Sequence, residues 1–366
     1  MTKNYDIAII GGGIMGCATA LHLAEAGMSV ILLEKDDIGQ GASGVNAGTL
    51  SLQIKRVKLM PYALKGHHEW QKMGDKVGFV KTGGYTLAFN QREAKLLEER
   101  MTLKREAGAN IEFVSPQILF ENEPNISKKV MAVSYCADDG YANSSLTGQY
   151  YRNLLNHSSV DYLEQNQIVK IDHSDKGFSV HTESQQYKAK RLLLACGGWM
   201  KQAAALLDVD LPIQARVNTV SVTERSPTLI SNVIGHATGL LTMKQKANGS
   251  ILIGGGWQGT GSPNEGRGKV HAQTLIPNIQ LAQYALPALS ALRIIRSWTG
   301  FEANVPDFYP LAGALGNIAN AYILGCVRGG FTIGPYISKL MGDYILGNEL
   351  ELPLFNPNRQ FTETGK

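Results

Sequence analysis

Four glycines in the segment Gly11-Gly-Gly-Ile-Met-Gly16 separate an apolar segment from an alanine-rich one. Residues 5–10 are predicted to form a strand, residues 14–26 a helix that ends at Gly27, and residues 30–33 a second strand. Apolar strands joined through a helix are typical of a parallel sheet covered by helices on both faces. The start of the chain therefore predicts a strand–helix–strand unit with a glycine turn at the N-terminus of the helix.

The glycine turn has the G-x-G-x-x-G spacing of a dinucleotide-binding site, and its position between strand and helix makes that spacing informative. Gly11 permits the tight turn, Gly13 lets the backbone approach a pyrophosphate, and Gly16 allows the helix to pack closely on the strand. Glu34 ends the second strand, where its carboxylate can bind ribose hydroxyls and would repel a 2′-phosphate. A glycine turn without a ligand is the weaker interpretation, and the spacing does not distinguish NAD from FAD.

A second cluster of small residues, 39–48, follows this unit and contains four further glycines. Such a segment lets several backbone amides approach a ligand that extends beyond a pyrophosphate. A flexible surface loop is the alternative interpretation. Of the 366 residues, 40 are glycine, and many concentrate in clusters at residues 11–16, 39–48, 83–84, 197–198, 254–256 and 329–330.

Composition and charge exclude several classes of protein. With 44% hydrophobic residues and 35 Lys and Arg against 31 Asp and Glu, the chain is globular in character and gives no indication of nucleic-acid binding. The four cysteines lack C-x-x-C spacing and His67, His68 and His236 lack metal-ligand spacing, so no metal site is expected.

Apolar residues 7–24 and 308–327 are interrupted by glycine, proline or asparagine and are not expected to span a membrane. The cysteines are expected to be buried thiols, and the N-terminus lacks a signal sequence, so a cytoplasmic location is expected.

The remainder of the chain predicts two interleaved domains. Residues 81–89 and 211–298 are rich in strand-forming residues, and a charged helix is expected at residues 91–108. Strands are also expected at residues 167–171, 178–182 and 191–195. The end of the chain repeats the order strand, glycine turn and helix, with the turn at residues 326–334 and Pro335 in the first turn of the helix.

Six motifs in order along the chain resemble the D-amino-acid oxidase, glycine oxidase and sarcosine oxidase superfamily of FAD enzymes. The motifs are the glycine turn with Glu34, Gly41-Ala-Ser43 with Asn46-Ala-Gly48, Gly83-Gly84, Leu194-Ala-Cys-Gly-Gly-Trp199, Trp298-Thr-Gly300 with Pro306-Asp307, and Arg328-Gly-Gly-Phe331. Two further stretches, residues 216–224 and Lys244-Gln245 with Gly254-Gly-Gly-Trp257, look most like the flavin subunits of hetero-oligomeric amine dehydrogenases. That branch includes opine oxidase, dye-linked proline or hydroxyproline dehydrogenase, and hydrogen cyanide synthase.

The resemblance implies an α/β fold in which a Rossmann-type FAD domain, like that of glutathione reductase, is interleaved with an α+β substrate domain. The substrate domain is expected to be built on a mixed, largely antiparallel sheet. The expected boundaries are residues 1–80, 146–208 and 299–366 for the FAD-binding domain, and residues 81–145 and 209–298 for the substrate domain.

The resemblance also implies oxidation of a carbon–nitrogen bond in a small amino or imino acid. A hydride equivalent would pass from the α-carbon to N5 of the flavin, water would hydrolyse the resulting imine, and the electrons would go to oxygen or another acceptor. The alternative is a flavin subunit whose activity depends on partner subunits. A homo-oligomer and a hetero-oligomer with small electron-transfer subunits both remain open. An NAD-linked dehydrogenase that uses only the glycine turn is a weaker alternative.

The matching positions imply a set of residues around a noncovalent FAD. A covalent flavin is not expected, because Phe301, Glu302 and Ala303 offer no cysteine where similar sarcosine oxidases attach it. The helix that follows Arg328 is expected to direct its N-terminal amides at the pyrimidine edge of the flavin. The expected cofactor-binding residues are Gly11, Gly13, Ile14, Met15, Gly16, Glu34, Lys35, Gly41, Ala42, Ser43, Asn46, Ala47, Gly48, Val169, Ala195, Cys196, Gly197, Trp199, Arg328, Gly329, Gly330, Phe331 and Thr332.

Three charged residues are the catalytic candidates. Glycine oxidase relatives have an arginine that binds the substrate carboxylate where this chain has Glu302, so glycine oxidase activity does not follow from the resemblance. Arg328 matches a second arginine and is expected to bind the carboxylate. Glu302 is expected to meet a cationic group of the substrate or, with equal weight, to be a structural hydrogen-bonding residue or to contact another subunit. Lys244 could polarise the flavin or oxygen, although a solvated strand lysine is the commoner case.

Overall fold

The computed structural model describes residues 4–362, which divide into two compact units. The first unit contains residues 4–45, 144–216 and 301–362, and the second contains residues 46–143 and 217–300. These boundaries differ from the expected domain boundaries chiefly at residues 46–80, which belong to the second unit. The reason is strand pairing, because two short strands at residues 49–50 and 80–81 both pair with a strand of the second unit.

The first unit is built on an eight-stranded sheet with helices. Numbered along the whole chain, its strands are β1 (Asn4–Ile10), β2 (Val30–Leu33), β9 (Asp161–Leu163), β10 (Ile168–Ser174), β11 (Gly177–Thr182), β12 (Gln186–Leu194), β20 (Leu311–Ala314) and β21 (Ala321–Gly325). Its helices are α1 (Ile14–Glu25), α2 (Ala42–Val45), α6 (Ser144–Asn156), α7 (Met200–Ala205) and α9 (Gly330–Leu346). The strand order is β10-β11-β12-β1-β2-β9, and β21 pairs with both β12 and β20.

The centre of this sheet is parallel and buried. Strand β1 runs parallel to β2 and to β12, and β12 runs parallel to β21. Ile7, Ile9, Leu32 and Leu193 are completely buried there. This arrangement confirms the predicted strand–helix–strand unit, because strands covered on both faces need apolar side chains at every position.

Helix α9 lies against helix α1 on this sheet. Thr19 Oγ1 donates a hydrogen bond to the Ser338 carbonyl at 3.2 Å, and the ring of His22 lies 2.9 Å from an Asp343 carboxylate oxygen. An added Cβ at Gly342 would lie 2.4 Å from Cδ2 of the His22 ring. The last helix of the chain therefore supports the helix that follows the glycine turn.

The second unit contains thirteen strands and four helices among the described residues. The strands are β3 (Thr49–Leu50), β4 (Val80–Lys81), β5 (Gly84–Ala88), β6 (Ile111–Val114), β7 (Ala132–Cys136), β8 (Gly140–Tyr141), β13 (Gln214–Arg225), β14 (Val233–His236), β15 (Thr242–Gln245), β16 (Ser250–Gly254), β17 (Thr260–Ser262), β18 (Arg267–Lys269) and β19 (Ile294–Asn304). The helices are α3 (Met60–Met73), α4 (Gln91–Glu106), α5 (Pro116–Asn122) and α8 (Ala272–Ala285).

The main sheet of the second unit has the order β19-β13-β16-β15-β14-β5-β7-β6. The β14–β5 pair is parallel, whereas β13–β16, β14–β15, β15–β16, β5–β7 and β6–β7 are antiparallel. A mixed, largely antiparallel sheet is what the sequence predicts for the second domain. Strand β13 begins with residues of the first unit, 214–216, and β19 ends with residues of the first unit, 301–304.

Two predictions about helices need correction. Helix α9 begins at Gly330, immediately after Gly329 with its left-handed φ of 72°, so Pro335 lies inside the helix and not in its first turn. A proline there has no N–H to bond the carbonyl four residues earlier, and its ring crowds that carbonyl, yet the helix continues past it to Leu346. Helix α8 interrupts the stretch predicted to be rich in strands, although Pro277 lies within it.

Among the helices of residues 4–362, none has the length and apolar character that crossing a membrane requires.

Candidate cofactor and substrate site

The glycine turn brings the ends of β1 and β12 into close contact with the start of α1. Gly11 has a φ of +110°, and a Cβ added to it would lie 2.5 Å from the Ala195 carbonyl oxygen. A Cβ on Gly16 would lie 1.9 Å from the Gly11 carbonyl oxygen. Gly13 lies before the helix with extended backbone, and its Cβ would meet Ser43 Oγ at 3.2 Å. Each glycine therefore stands where a side chain would push the backbone or a neighbouring polar group away.

The N-terminus of α1 offers a site for an anion. The first turn, residues 14–17, contains no acidic side chain, and the Ile14 amide donates to Ser43 Oγ at 3.0 Å. Met15 lies partly exposed in this turn. Helix N-termini carry partial positive charge and amides that point outward, which suits the pyrophosphate of a dinucleotide. The turn, the helix end and Ser43 together fit that group.

Glu34 is fixed beside the turn. Its Oε2 accepts a hydrogen bond from the Gly12 amide at 2.6 Å, and its Oε1 accepts one from the Asp36 amide at 2.8 Å. Burial raises the pKa of this carboxyl, while the two backbone amides act in the opposite direction. The adjacent Lys35 pairs with Asp36 and lies 4.2 Å from the centroid of the Trp199 ring. A carboxylate held at the end of β2 fits the ribose hydroxyls of a dinucleotide.

Residues 195–199 lie against the loop of small residues that contains Gly41 and Ala42. A Cβ on Gly41 would lie 3.9 Å from the Trp199 ring, and that ring makes an edge-to-face contact with Phe301 at 5.4 Å between centroids. Gly197 has a left-handed φ of +51°. Burial raises the pKa of the Cys196 thiol to about 12, so this cysteine is a neutral group and not a nucleophile.

The start of α9 carries a further group of the expected cofactor-binding residues in the first unit. Gly329 precedes the helix, and no acidic residue stands in the first turn. A Cβ on Gly330 would lie 3.2 Å from Cε of Met15. The Thr332 hydroxyl is completely buried and has no hydrogen-bond partner among the described residues. A buried hydroxyl without a partner is costly, so this atom fits a polar group of a bound cofactor.

The Glu302 side chain contacts the backbone of the loop that carries Arg328. Glu302 Oε1 accepts a hydrogen bond from the Gly329 amide at 3.0 Å, which gives this carboxylate a structural contact with the loop that carries Arg328. The Arg328 side chain is exposed. A third charged residue, Arg216, lies close enough for the charges of both Arg328 and Glu302 to act on it. Sequence reasoning did not select Arg216 as a site residue, since only the pairing of β13 with β19 brings it to Glu302.

The remaining candidates belong to the second unit, except Val169. Asn46 Oδ1 accepts a hydrogen bond from the Gly48 amide at 2.6 Å, and a Cβ on Gly254 would lie 3.9 Å from Cβ of Ala47. Val169 lies in strand β10 of the first unit and is 45% exposed.

Lys244 is buried on β15, with only 1% of its surface exposed. Its amine donates a hydrogen bond to Thr49 Oγ1. Burial lowers the pKa of this amine to about 7, and the positive charge of Lys246 lowers it further. The commoner case of a solvated strand lysine therefore does not apply, and the group can be neutral near pH 7.

Metal ligands do not cluster in the part of the chain that the structure describes: no group of three or more His, Cys, Asp or Glu side chains could hold an ion. Cys17, Cys136 and Cys326 are buried free thiols, as the sequence predicts, and Cys196 is half-buried.

A parallel sheet with a glycine turn, a helix N-terminus without acidic side chains and a half-buried carboxylate at the end of β2 is typical of a dinucleotide-binding domain. The chain belongs to the family of FAD dependent oxidoreductases named DAO, whose family model matches residues 6–344. The predicted family, the Rossmann-type fold class and the FAD cofactor are thereby confirmed.

Similar proteins extend over nearly the whole chain. One of the subunits of opine oxidase from Rhizobium meliloti is 26% identical over 97% of this chain and 98% of its own, and glycine oxidase of Geobacillus kaustophilus is 23% identical over the full length of both. The crystal structure of the latter enzyme matches with a TM-score of 0.90 at 22% identity, over 99% of this chain and 100% of that one. L-proline dehydrogenase from P. horikoshii matches with a TM-score of 0.88 at 21% identity, over 98% of each chain. The two structures share the fold of this chain.

Proposed function

We propose that the protein oxidises a carbon–nitrogen bond of a small amino or imino acid. The observation that carries the proposal is the convergence, within the first unit, of the glycine turn and the start of α9, with the unpartnered Thr332 hydroxyl. The similar proteins, which include glycine oxidase, L-proline dehydrogenase and opine oxidase, support the substrate class. When bound, FAD supplies an acceptor for the hydride equivalent that leaves the carbon next to nitrogen.

Residues of the first unit would hold the cofactor. The amides at the start of α1, with Ser43, would bind the pyrophosphate, and Glu34 would bind the ribose hydroxyls. The first turn of α9, with Gly330, Phe331 and Thr332, would stabilise negative charge on the cofactor through its amides and its hydroxyl. Lys35, Ala42, Asn46–Gly48 and Val169 remain predictions that rest on the resemblance alone.

Charged side chains would orient the substrate. The exposed guanidinium of Arg328 would bind the substrate carboxylate through two parallel hydrogen bonds. The Glu302 carboxylate already accepts from the Gly329 amide, which favours its structural role over contact with a cationic substrate group. Lys244 would polarise the flavin or oxygen. Because burial lowers the pKa of its amine to about 7, the amine could do so in its neutral or its charged form near pH 7.

Anaerobic titration tests the reaction. Purified protein is mixed with glycine, sarcosine, D-amino acids, L-proline, hydroxyprolines and opines, and loss of the visible flavin absorbance is recorded. At least one member should bleach the flavin to the extent that dithionite does, while its N-acetyl derivative, in which the nitrogen lone pair is delocalised, should not. If dithionite reduces the flavin and no compound of the panel does, carbon–nitrogen oxidation of this class is rejected.

The second candidate function is that of a flavin subunit that depends on partner subunits. Its support is that two of the similar proteins are named as subunits of opine oxidase. Reoxidation of the substrate-reduced protein separates the two functions: rapid reoxidation by dissolved oxygen indicates an oxidase, whereas reoxidation that requires an added subunit or an artificial dye indicates a dehydrogenase component. The cytoplasmic location and the oligomeric state stay predictions.

The proposed flavin is noncovalent. Residues 301–303, where similar sarcosine oxidases would attach the flavin, carry no cysteine. Acid precipitation of the purified protein should leave the yellow colour in solution. A coloured pellet would reject the proposal.

A further inference from the structure

The pairing of β13 with β19 determines which residue faces Glu302. The Glu224 amide donates to the Arg293 carbonyl at 2.9 Å, and Ser221 Oγ lies 2.8 Å from Ser297 Oγ. As the chain goes back from 224 to 221 on one strand it advances from 293 to 297 on the other, so the two strands are antiparallel. These two contacts imply registers that differ by one residue, and the pairing of β13 with β16 is also irregular between Val222 and Arg225. Continued for five residues along each strand, the register of the serine pair puts Arg216 opposite Glu302. Directly opposite residues in such a ladder have Cβ atoms roughly 5 Å apart.

Glu302 is in turn tied to Arg328. Its carboxylate accepts from the amide of Gly329, the residue that follows Arg328. All three charged side chains therefore belong to one small region of the first unit. Burial lowers the pKa of the Arg216 guanidinium, the charge of Arg328 lowers it further, and Glu302 acts in the opposite direction.

This region has an excess of positive charge. It contains two guanidinium groups, those of Arg216 and Arg328, and one carboxylate, that of Glu302. Among residues 4–362, no hydrogen-bond partner accompanies the guanidinium of either arginine. Arg216 is half-buried. The two neighbouring guanidiniums offer ten N–H donors, and that of Arg216 is partly shielded from water. Together they can bind an anion with several acceptor oxygens.

We propose that Arg216 binds the substrate carboxylate together with Arg328, and that Glu302 holds the loop before α9 in the position that allows this. The proposal rests on the proposed function and deepens it, since the substrate would then be an amine with a free carboxylate, and amines without one would be poor substrates.

Equilibrium binding of a ligand that cannot be oxidised tests Arg216 directly. Pyrrole-2-carboxylate is a planar analogue of a cyclic amino acid and has no hydrogen on the carbon next to the carboxylate, and pyrrole-2-carboxamide is its neutral counterpart. Each is titrated into the FAD-loaded protein while the visible flavin spectrum is recorded. Arg216→Gln should weaken binding of the carboxylate by about 10- to 100-fold, the range for a lost hydrogen bond between charged groups. Binding of the carboxamide, whose oxygen carries no charge, should weaken less, by at most about tenfold on the same scale.

Two further variants make the result specific. Arg225→Gln makes the same substitution at the exposed end of the same strand and should bind both ligands as the unaltered protein does. Arg216→Lys keeps the charge but loses the planar fork, so its preference for carboxylate over carboxamide should fall to an intermediate value. If Arg216→Gln does not fold, this fall in preference in Arg216→Lys decides the question.

The outcomes separate this inference from the proposed function. Unchanged carboxylate binding by the Arg216 variants overturns the role of Arg216, even if the unaltered protein oxidises an amino acid. If the unaltered protein oxidises no compound of the panel, yet prefers the carboxylate and loses that preference with Arg216→Gln, the anion site is supported and carbon–nitrogen oxidation is rejected.

Discussion

Gly16 is the position where one added methyl group should do most damage to the cofactor site. Its Cβ would lie 1.9 Å from the Gly11 carbonyl oxygen and 3.1 Å from the carbonyl carbon. Both atoms are backbone, so no side chain can rotate away. An ordinary contact requires about 3.4 Å or more, and α1 would have to move from the turn by more than about 1 Å. That movement would separate the amides of α1 from the pyrophosphate they are expected to bind.

The size of the effect follows from the cost of overpacking. Such insertions cost about 1–3 kcal/mol, and a clash with rigid backbone belongs at the upper end. If about 3 kcal/mol of this strain is relieved only when the turn leaves its FAD-binding geometry, FAD affinity falls by about two orders of magnitude, at 1.36 kcal/mol for each factor of ten. Gly16→Ala should therefore be purified largely without flavin.

Gly27 provides a matched control at the other end of the same helix. Its φ is +88°, but a Cβ there would meet no atom within 4 Å. Gly27→Ala should cost about 1–2 kcal/mol of stability through its backbone conformation and should leave FAD binding unchanged. The measurements are the ratio of flavin to protein absorbance after purification and calorimetric titration of the apoprotein with FAD. A Gly16→Ala protein that binds FAD within about threefold of the unaltered protein would contradict the assignment of this turn as the cofactor site.

Three further variants test other parts of the first and second units. Glu34→Ala should lose about 1–3 kcal/mol of stability in urea denaturation because the buried Gly12 amide loses its acceptor, whereas Glu34→Gln keeps an acceptor oxygen and most of the stability. Burial lowers the pKa of Lys104 to about 7, against about 10.4 in the unfolded chain. Between pH 7 and about 8.5 the unfolded chain thus retains a proton that the folded protein has released, and stability should rise by about 1.5 kcal/mol; Lys104→Met should abolish that part of the rise. Arg359→Met should lower the free energy of unfolding by about 3 kcal/mol, since it leaves the buried Asp307 carboxylate without the paired guanidinium at 2.7 and 2.9 Å; an unchanged melting temperature would contradict this.

The cofactor half of the site could be predicted from the sequence because its requirements are local and steric. A glycine is needed at position 16 because of the carbonyl at position 11, and an acceptor is needed at position 34 because β2 ends beside the turn. Strand, turn and helix lie within the first 33 residues, so their spacing alone carries the pattern.

The start of α9 could not be predicted in the same way because two signals compete there. Proline favours the first turn of a helix, and that preference placed the start at Pro335. A glycine with left-handed φ can also precede a helix, and the structure uses Gly329 in this way, which adds one and a half turns before the proline. The difference matters for the site, because it brings the helix N-terminus at Gly330 next to Met15 and puts the buried Thr332 hydroxyl in the first turn of the helix.

The substrate half of the site depends on strand register, which residue spacing along one chain does not contain. Glu302 taken alone is a carboxylate and argues against the binding of another carboxylate. With β13 paired to β19, the same glutamate faces Arg216 and accepts the amide of Gly329. A carboxylate in that position would balance one of the two neighbouring guanidiniums and would fix the loop that carries the other, which is the arrangement proposed for the anion site. Residue spacing along the chain does not reveal this arrangement, because Arg216 lies far from Glu302 in sequence and becomes its neighbour only through the sheet.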